Sequence, residues 1–322
     1  MNTLGSSVRW DGIKKTEYVQ LLVDHFDWWY PDNGFRWQEK GNVADNRKTE
    51  EIVNLAVQNN KAIRGNNLTS ATNVIVKREV TKHEVWHYLE KTLEQFPAID
   101  YWDAVHEVTG DNGLPRRSVW RKSLGENWEE LIFRWANTIA PGVKLFYCDY
   151  FRDKRKWTAV YDKVAYWLSK DVPIHGISVQ LHSNLKPSLL GRNASLNIKE
   201  AEYWMKRFKA LGLLLHVPEI VVWQPSATLS LDTLRGKSNL WKEIIRKGGG
   251  DLLLASHNVP ELQKKVYHQI LQTCRFANAD MMGFWSAFDK YPWNWVGNRA
   301  KAGFWDEDFS PKESCSLIQN NY

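Results

Sequence analysis

Eight short apolar runs, separated by segments of helical periodicity, constrain this 322-residue chain more than any other feature. They are Thr3–Val8, Phe26–Tyr30, Ala62–Leu68, Ile99–Val105, Val143–Asp149, Ile174–Leu181, Leu213–Val222 and Met281–Ala287. Between them, Val160, Val164, Trp167 and Leu168 fall at helical spacing. So do Ala201, Trp204, Met205, Phe208 and Leu211, with Gly212 placed to cap that helix. Strand and helix in alternation argue for a parallel sheet, and eight such units argue for closure. The expected fold is α/β, a single (β/α)8 TIM barrel spanning residues 1–322. Lys247-Gly248-Gly249-Gly250 is too short to separate domains. The long interval from Gln224 to Leu271 is expected to hold an enlarged loop and a helix over the barrel mouth.

Charge and composition narrow the function classes. The net charge is +6 and the pI about 9.0, but the basic residues are scattered and usually have acidic neighbours. A nucleic-acid surface needs basic residues clustered on one face, so no nucleic-acid partner is expected. No stretch approaches the roughly 20 apolar residues of a membrane span, so no membrane partner is expected either. The N-terminus lacks the basic region and apolar core of a signal peptide, which leaves the compartment open. Cys148, Cys274 and Cys315 are too few and too scattered for a disulfide framework or a zinc cluster, and read as structural. The 18 Trp exceed ordinary usage. Indoles serve both as core and as platforms for sugar faces, and composition does not choose between the two.

In such a barrel the active site lies at the C-terminal ends of the strands, so polar residues that close an apolar run matter most. Three runs end informatively: Trp102-Asp103-Ala104-Val105-His106-Glu107, Val179-Gln180-Leu181-His182 and Leu215-His216-Val217-Pro218-Glu219. An acid directly after a buried strand is ordinarily a surface or cap carboxylate. Two of them, from the fourth and seventh runs, suggest a pair converging on one mouth. Paired carboxylates cleave glycosidic bonds, one protonating the leaving oxygen while the other attacks the anomeric carbon.

The residues then become recognisable. Trp102-Asp103-Ala104-Val105-His106-Glu107 resembles the Trp-Asp-Val-Val-Asn-Glu acid/base motif of glycoside hydrolase family 10, the family of endo-β-1,4-xylanases. His216-Val217-Pro218-Glu219 resembles its nucleophile strand, His-Ile-Thr-Glu. Asp32-Asn33-Gly34-Phe35-Arg36-Trp37, Arg64-Gly65, Ser118-Val119-Trp120, Leu145–Tyr150, Pro173–His182, Phe284-Trp285, Asp289-Lys290-Tyr291, Trp293 and Phe304–Lys312 resemble further family segments in the family's order. The resemblance covers nearly the whole chain. It implies a retaining endo-acting hydrolase of a β-1,4-linked polysaccharide, xylan or a related glycan, with Glu107 as acid/base and Glu219 as nucleophile. It implies that Gln180 and His182 orient the nucleophile and the neighbouring sugar, that Asn33 binds a more distant sugar, and that Trp285 and Trp293 wall the pocket. A polysaccharide or oligosaccharide substrate, no cofactor, no metal, a monomer and a secreted or periplasmic location follow by the same analogy.

Departures from the family pattern concentrate on the sugar-binding floor. His106 replaces the Asn that holds the sugar 2-hydroxyl, and Arg36 replaces a Lys. After Arg64-Gly65 the chain reads Asn66-Asn67-Leu68-Thr69-Ser70-Ala71 where the family has His-Thr-Leu-Val-Trp-His. Asn66, Arg36 and His106 are therefore substrate-binding positions with altered chemistry. A catalytically weakened, glycan-binding barrel is the alternative they raise. Separately, His83-Glu84-Val85-Trp86-His87 spells the H-E-x-x-H pattern of zinc proteases. Thr81 and Glu84 also form a capping box at a helix start on the outer ring, which accounts for Glu84 without metal.

Overall fold

The computed structural model describes residues 3–32, 34–35, 37, 46–72, 78–151, 153–184, 196–223, 259–292 and 301–319. Its strands are β1 (Thr3–Val8), β2 (Trp28–Pro31), β3 (Ala62–Gly65), β4 (Thr69–Ser70), β5 (Tyr101–His106), β6 (Lys144–Tyr150), β7 (Gly176–Asn184), β8 (Leu214–Trp223) and β9 (Met281–Phe284). Every pairing between them is parallel, and β1 pairs with both β2 and β9, which closes the sheet. The nine segments make eight barrel positions, because β3 and β4 are two halves of one strand and both pair with β5. The chain leaves the ladder at Asn66 and rejoins it where Thr69 pairs with Val105 and Ser70 with His106. Gly65 permits the close approach before this break: a Cβ there would lie 2.1 Å from the Trp102 ring.

The described helices are α1 (Thr16–His25), α2 (Asn46–Gln58), α3 (Lys82–Gln95), α4 (Val119–Leu124), α5 (Trp128–Ile139), α6 (Lys154–Ser169), α7 (Ile198–Ala210), α8 (Val259–Phe276) and α9 (Ser316–Gln319). The longer ones lie outside the barrel and turn an apolar stripe onto it. In α7, Ala201, Trp204, Met205 and Phe208 are buried at the expected spacing. Asn197 caps its start by accepting from the Glu200 amide, and Gly212 follows its end at φ +82°. The start of α3 is the anticipated capping box, with both Thr81–Glu84 hydrogen bonds present. Arg78 and Thr81 hold the Glu84 carboxyl down at about 2. Glu84 thus serves the helix end on the outer ring, away from the barrel mouth. Among the described residues ten tryptophans, from Trp29 to Trp305, are buried, so much of the indole surplus is core.

The barrel interior is layered. At the bottom, His216 packs among Phe146, Tyr101 and Trp28, with ring centroids 4.4, 5.3 and 5.6 Å away. Above it the fully buried Arg64 pairs with Asp103, contacts Ser178, and reaches His216 Nδ1 at 2.9 Å. Burial and the Arg64 charge press the His216 imidazole well below its usual range, so the neutral ring accepts from the guanidinium. Arg64→Ala would strand Asp103 without a counter-charge. The expected loss is about 3–5 kcal/mol, read as a lower denaturant midpoint with an unchanged slope. An unchanged midpoint would show that the pair does not hold the barrel together.

Candidate active site

Glu219 is presented by an irregularity in β8. The β8–β9 register runs His216↔Met281 and Val217↔Met282, then resumes at Ile220↔Phe284. Pro218 sits in that gap, where its missing N–H costs no ladder bond. Its carbonyl accepts from Tyr30 Oη, which also lies 2.8 Å from Phe284 O. The bulge turns Glu219 inward. There the buried carboxylate is surrounded by donors. Oε1 accepts from Asn66 Nδ2 at 3.2 Å and Gln180 Nε2 at 3.3 Å, with His106 Nε2 at 3.6 Å. His182 Nε2 lies 3.6 Å from Oε2. Burial alone would raise this carboxyl, but His106 and His182 outweigh it and hold Glu219 at about 2. The group is an anion throughout the neutral range.

Glu107 stands one residue beyond β5. Its amide donates to Cys148 O at 2.8 Å, and its backbone has φ +53°, the left-handed region that side chains other than glycine seldom adopt. Its Oε2 accepts from Thr72 Oγ1 at 2.6 Å. Behind it, Asp149 buttresses the loop by accepting from the Thr109 amide at 3.2 Å and from Tyr147 Oη at 3.0 Å. Lys156, fully buried, pairs with Asp149 at 2.6 Å and lies 3.4 Å over the Tyr150 ring.

His106 couples the two acids. Burial would lower its imidazole, yet the charges of Glu107 and Glu219 raise it to about 9. Its Nε2 lies 2.9 Å from Gln180 Nε2. A neutral ring accepts from that amide, whereas an imidazolium requires the amide to turn its oxygen inward, so the Gln180 orientation follows the proton.

The signs give two pH windows. Glu219 is depressed from 4.5, so its contribution to stability is complete above that value and lost as pH falls toward 2. His106 is raised from 6.5, so its contribution is complete below that value and lost as pH climbs through 9. We expect His106→Asn to flatten the alkaline slope of melting temperature against pH. The same change should move the acid limb of kcat/KM upward by about 1–3 pH units, the usual effect of removing an adjacent opposite charge. An acid limb that stays in place would show that His106 does not hold Glu219 ionised.

The structure thus brings Glu219, Asn66, His106, Gln180 and His182 into one cluster at the strand C-termini, with Glu107 at its edge. Trp285, just past β9, stacks on Tyr30 at 5.7 Å on the same side of the barrel. Asn33, Arg36 and Trp293 lie outside the described residues. Asn66, expected to meet substrate, donates to the Glu219 carboxylate. Tyr30, Thr72, Asp149 and Lys156 were missed by sequence reasoning. Of these, only Asp149 and Tyr30 close an apolar run and could have been marked.

A closed parallel barrel with a buried, donor-ringed carboxylate and a second carboxylate at the same mouth is an arrangement compatible with the two-carboxylate glycoside hydrolases. The sequence model of Glycosyl hydrolase family 10 matches residues 2–321, and the chain belongs to that family. It is 28% identical to a beta-1,4-xylanase of Dictyoglomus thermophilum, over 97% of this chain and 86% of that protein. It is 24% identical to endo-1,4-beta-xylanase B of Thermotoga neapolitana, over 94% and 82%. In structure it resembles xylanase 10B from Thermotoga petrophila RKU-1, solved with xylobiose, at TM-score 0.80 and 23% identity, covering 99% of this chain and 93% of that one. Fold and family together make this chain a retaining glycoside hydrolase acting on a carbohydrate.

Proposed function

We propose that the chain is an endo-β-1,4-xylanase in which Glu219 is the nucleophile and Glu107 the acid/base. The observation that supports this reading is the buried, ionised Glu219 ringed by Asn66, Gln180, His106 and His182 at the strand C-termini, with Glu107 one residue beyond β5 at the edge of the same cluster. Glu219 attacks the anomeric carbon while Glu107 gives its proton to the leaving oxygen. The resulting glycosyl ester on Glu219 is then opened by a water that Glu107, now a base, deprotonates. Asn66, Gln180 and His182 aim the nucleophile, Trp285 walls the pocket, and His106 faces the sugar 2-hydroxyl. Xylan is the substrate favoured by the names of the relatives.

Reducing-sugar release from xylan, β-glucan, mannan and arabinan tests the proposal. Release from xylan above the other three is the expected result, and release from another polymer alone would overturn the choice of substrate. His106 and the Asn66–Ala71 segment favour a second reading, a barrel that holds glycans but cleaves them poorly. Turnover that depends on both glutamates eliminates it.

A further inference from the structure

Beneath the mouth, three electron-pair donors of different chemistry converge. His106, Cys148 and Glu219 are all buried, and their ligating atoms all lie within 4.8 Å of one another. The edge from His106 Nε2 to Glu219 Oε1 is 3.6 Å. Zinc bonds of about 2.0–2.3 Å at tetrahedral angles place ligand atoms roughly 3.3–3.8 Å apart, so this edge already has coordination spacing. Gln180 Nε2 sits among the three, at 2.9 Å from His106 Nε2, 3.3 Å from Glu219 Oε1 and 3.6 Å from Cys148 Sγ. These separations are those of a fourth corner beside the three ligating atoms, not of the point between them. The amide's own oxygen is buried and has no hydrogen-bond partner among the described residues. A half-turn of that amide would place its oxygen at this fourth corner and supply a fourth ligand.

The geometry points to a binding site for a thiophilic divalent cation of the zinc class, formed by His106 Nε2, Cys148 Sγ and Glu219 Oε1. Imidazole, thiolate and carboxylate suit zinc better than they suit magnesium or calcium, which prefer oxygen alone. On binding, the Cys148 thiol and the His106 imidazolium each give a proton to solvent, thiolate and neutral imidazole ligate, and no group is oxidised or reduced. The consequence for turnover rests on the xylanase reading: a cation on Oε1 occupies the nucleophile's lone pair and silences the enzyme reversibly.

The test separates binding from inhibition. His83 and His87, exposed one turn apart on α3 with ring centroids 6.3 Å apart, are a competing surface pair, so the titrations use an H83A/H87A background. Zinc chloride is titrated calorimetrically. Cobalt(II) chloride then serves as the spectroscopic probe, since thiolate ligation produces a near-ultraviolet charge-transfer band. Binding of one cation with that band is expected. The band should vanish in Cys148→Ser and in Cys148→Ala, each checked for fold by circular dichroism. Zinc affinity should fall by about 100-fold or more in His106→Asn, beyond the range that loss of an outer partner produces. Zinc should also suppress xylan hydrolysis, with recovery on adding EDTA and resistance in either Cys148 variant, each compared with its own metal-free rate. No band, or a band that survives both Cys148 variants, overturns the site. Binding with the band but without any effect on hydrolysis would leave the site standing and refute the assignment of Glu219 as nucleophile.

Discussion

Glu219→Gln is expected to lower kcat on xylan by about 10⁴-fold or more, the scale on which loss of one member of a catalytic unit acts. The argument is geometric as well as chemical. The amide keeps the volume and planarity of the carboxylate, so Asn66, Gln180 and the two imidazoles retain a neighbour, and the fold should survive. What disappears is the anion proposed to attack carbon. Loss of that charge also removes one of the two carboxylates that hold His106 protonated, so its imidazole should titrate nearer neutrality. The measurements are single-turnover kinetics and a melting curve. Substantial residual turnover in a well-folded variant would refute the nucleophile assignment. For the smaller Glu219→Ala, added azide should restore glycosyl transfer and give an azide product of inverted configuration.

The second large effect belongs to Glu107→Ala. A general acid contributes about 10²–10⁴-fold when the leaving group needs a proton. Xylan, which leaves as a poor alkoxide, should suffer the full loss. An aryl xyloside with an activated phenolate leaving group needs little help in the first step and should show a small loss in kcat/KM. Its second step still lacks a base, so the glycosyl-enzyme should accumulate and produce a burst of phenolate. Equal losses on both substrates would contradict the acid role. Thr72 provides a milder control, because removing its 2.6 Å hydrogen bond frees Glu107 without deleting it.

Barrel topology was legible because a parallel strand covered on both faces is a short, uninterrupted apolar run, and its helices carry a clean stripe. The third run was the exception. Ala62–Leu68 reads as one strand, but the ladder breaks at Asn66 and resumes at Thr69, because backbone hydrogen bonding to β5 does not register in side-chain hydropathy. The two acids were visible as charges that close buried strands. Their partners were less so. Gln180 and His182 follow the alternation of β7 and could be placed, whereas Thr72 reaches the site from a polar position that looks like loop. The Asn66 contact depends on how the chain leaves the sheet, which no pattern of residue types encodes. The Arg64–Asp103 pair was likewise hidden, since a charge inside a run gives no sign of which distant strand will answer it.

One backbone angle has an evolutionary reading. At φ +53°, the position occupied by Glu107 would be most comfortable with glycine or asparagine, and an ordinary side chain costs about 1–2 kcal/mol there. Random drift under selection for robustness alone would therefore tend to erase the acid. An acid at so unwelcoming a spot marks a trade in which chemical competence is gained at the expense of local comfort.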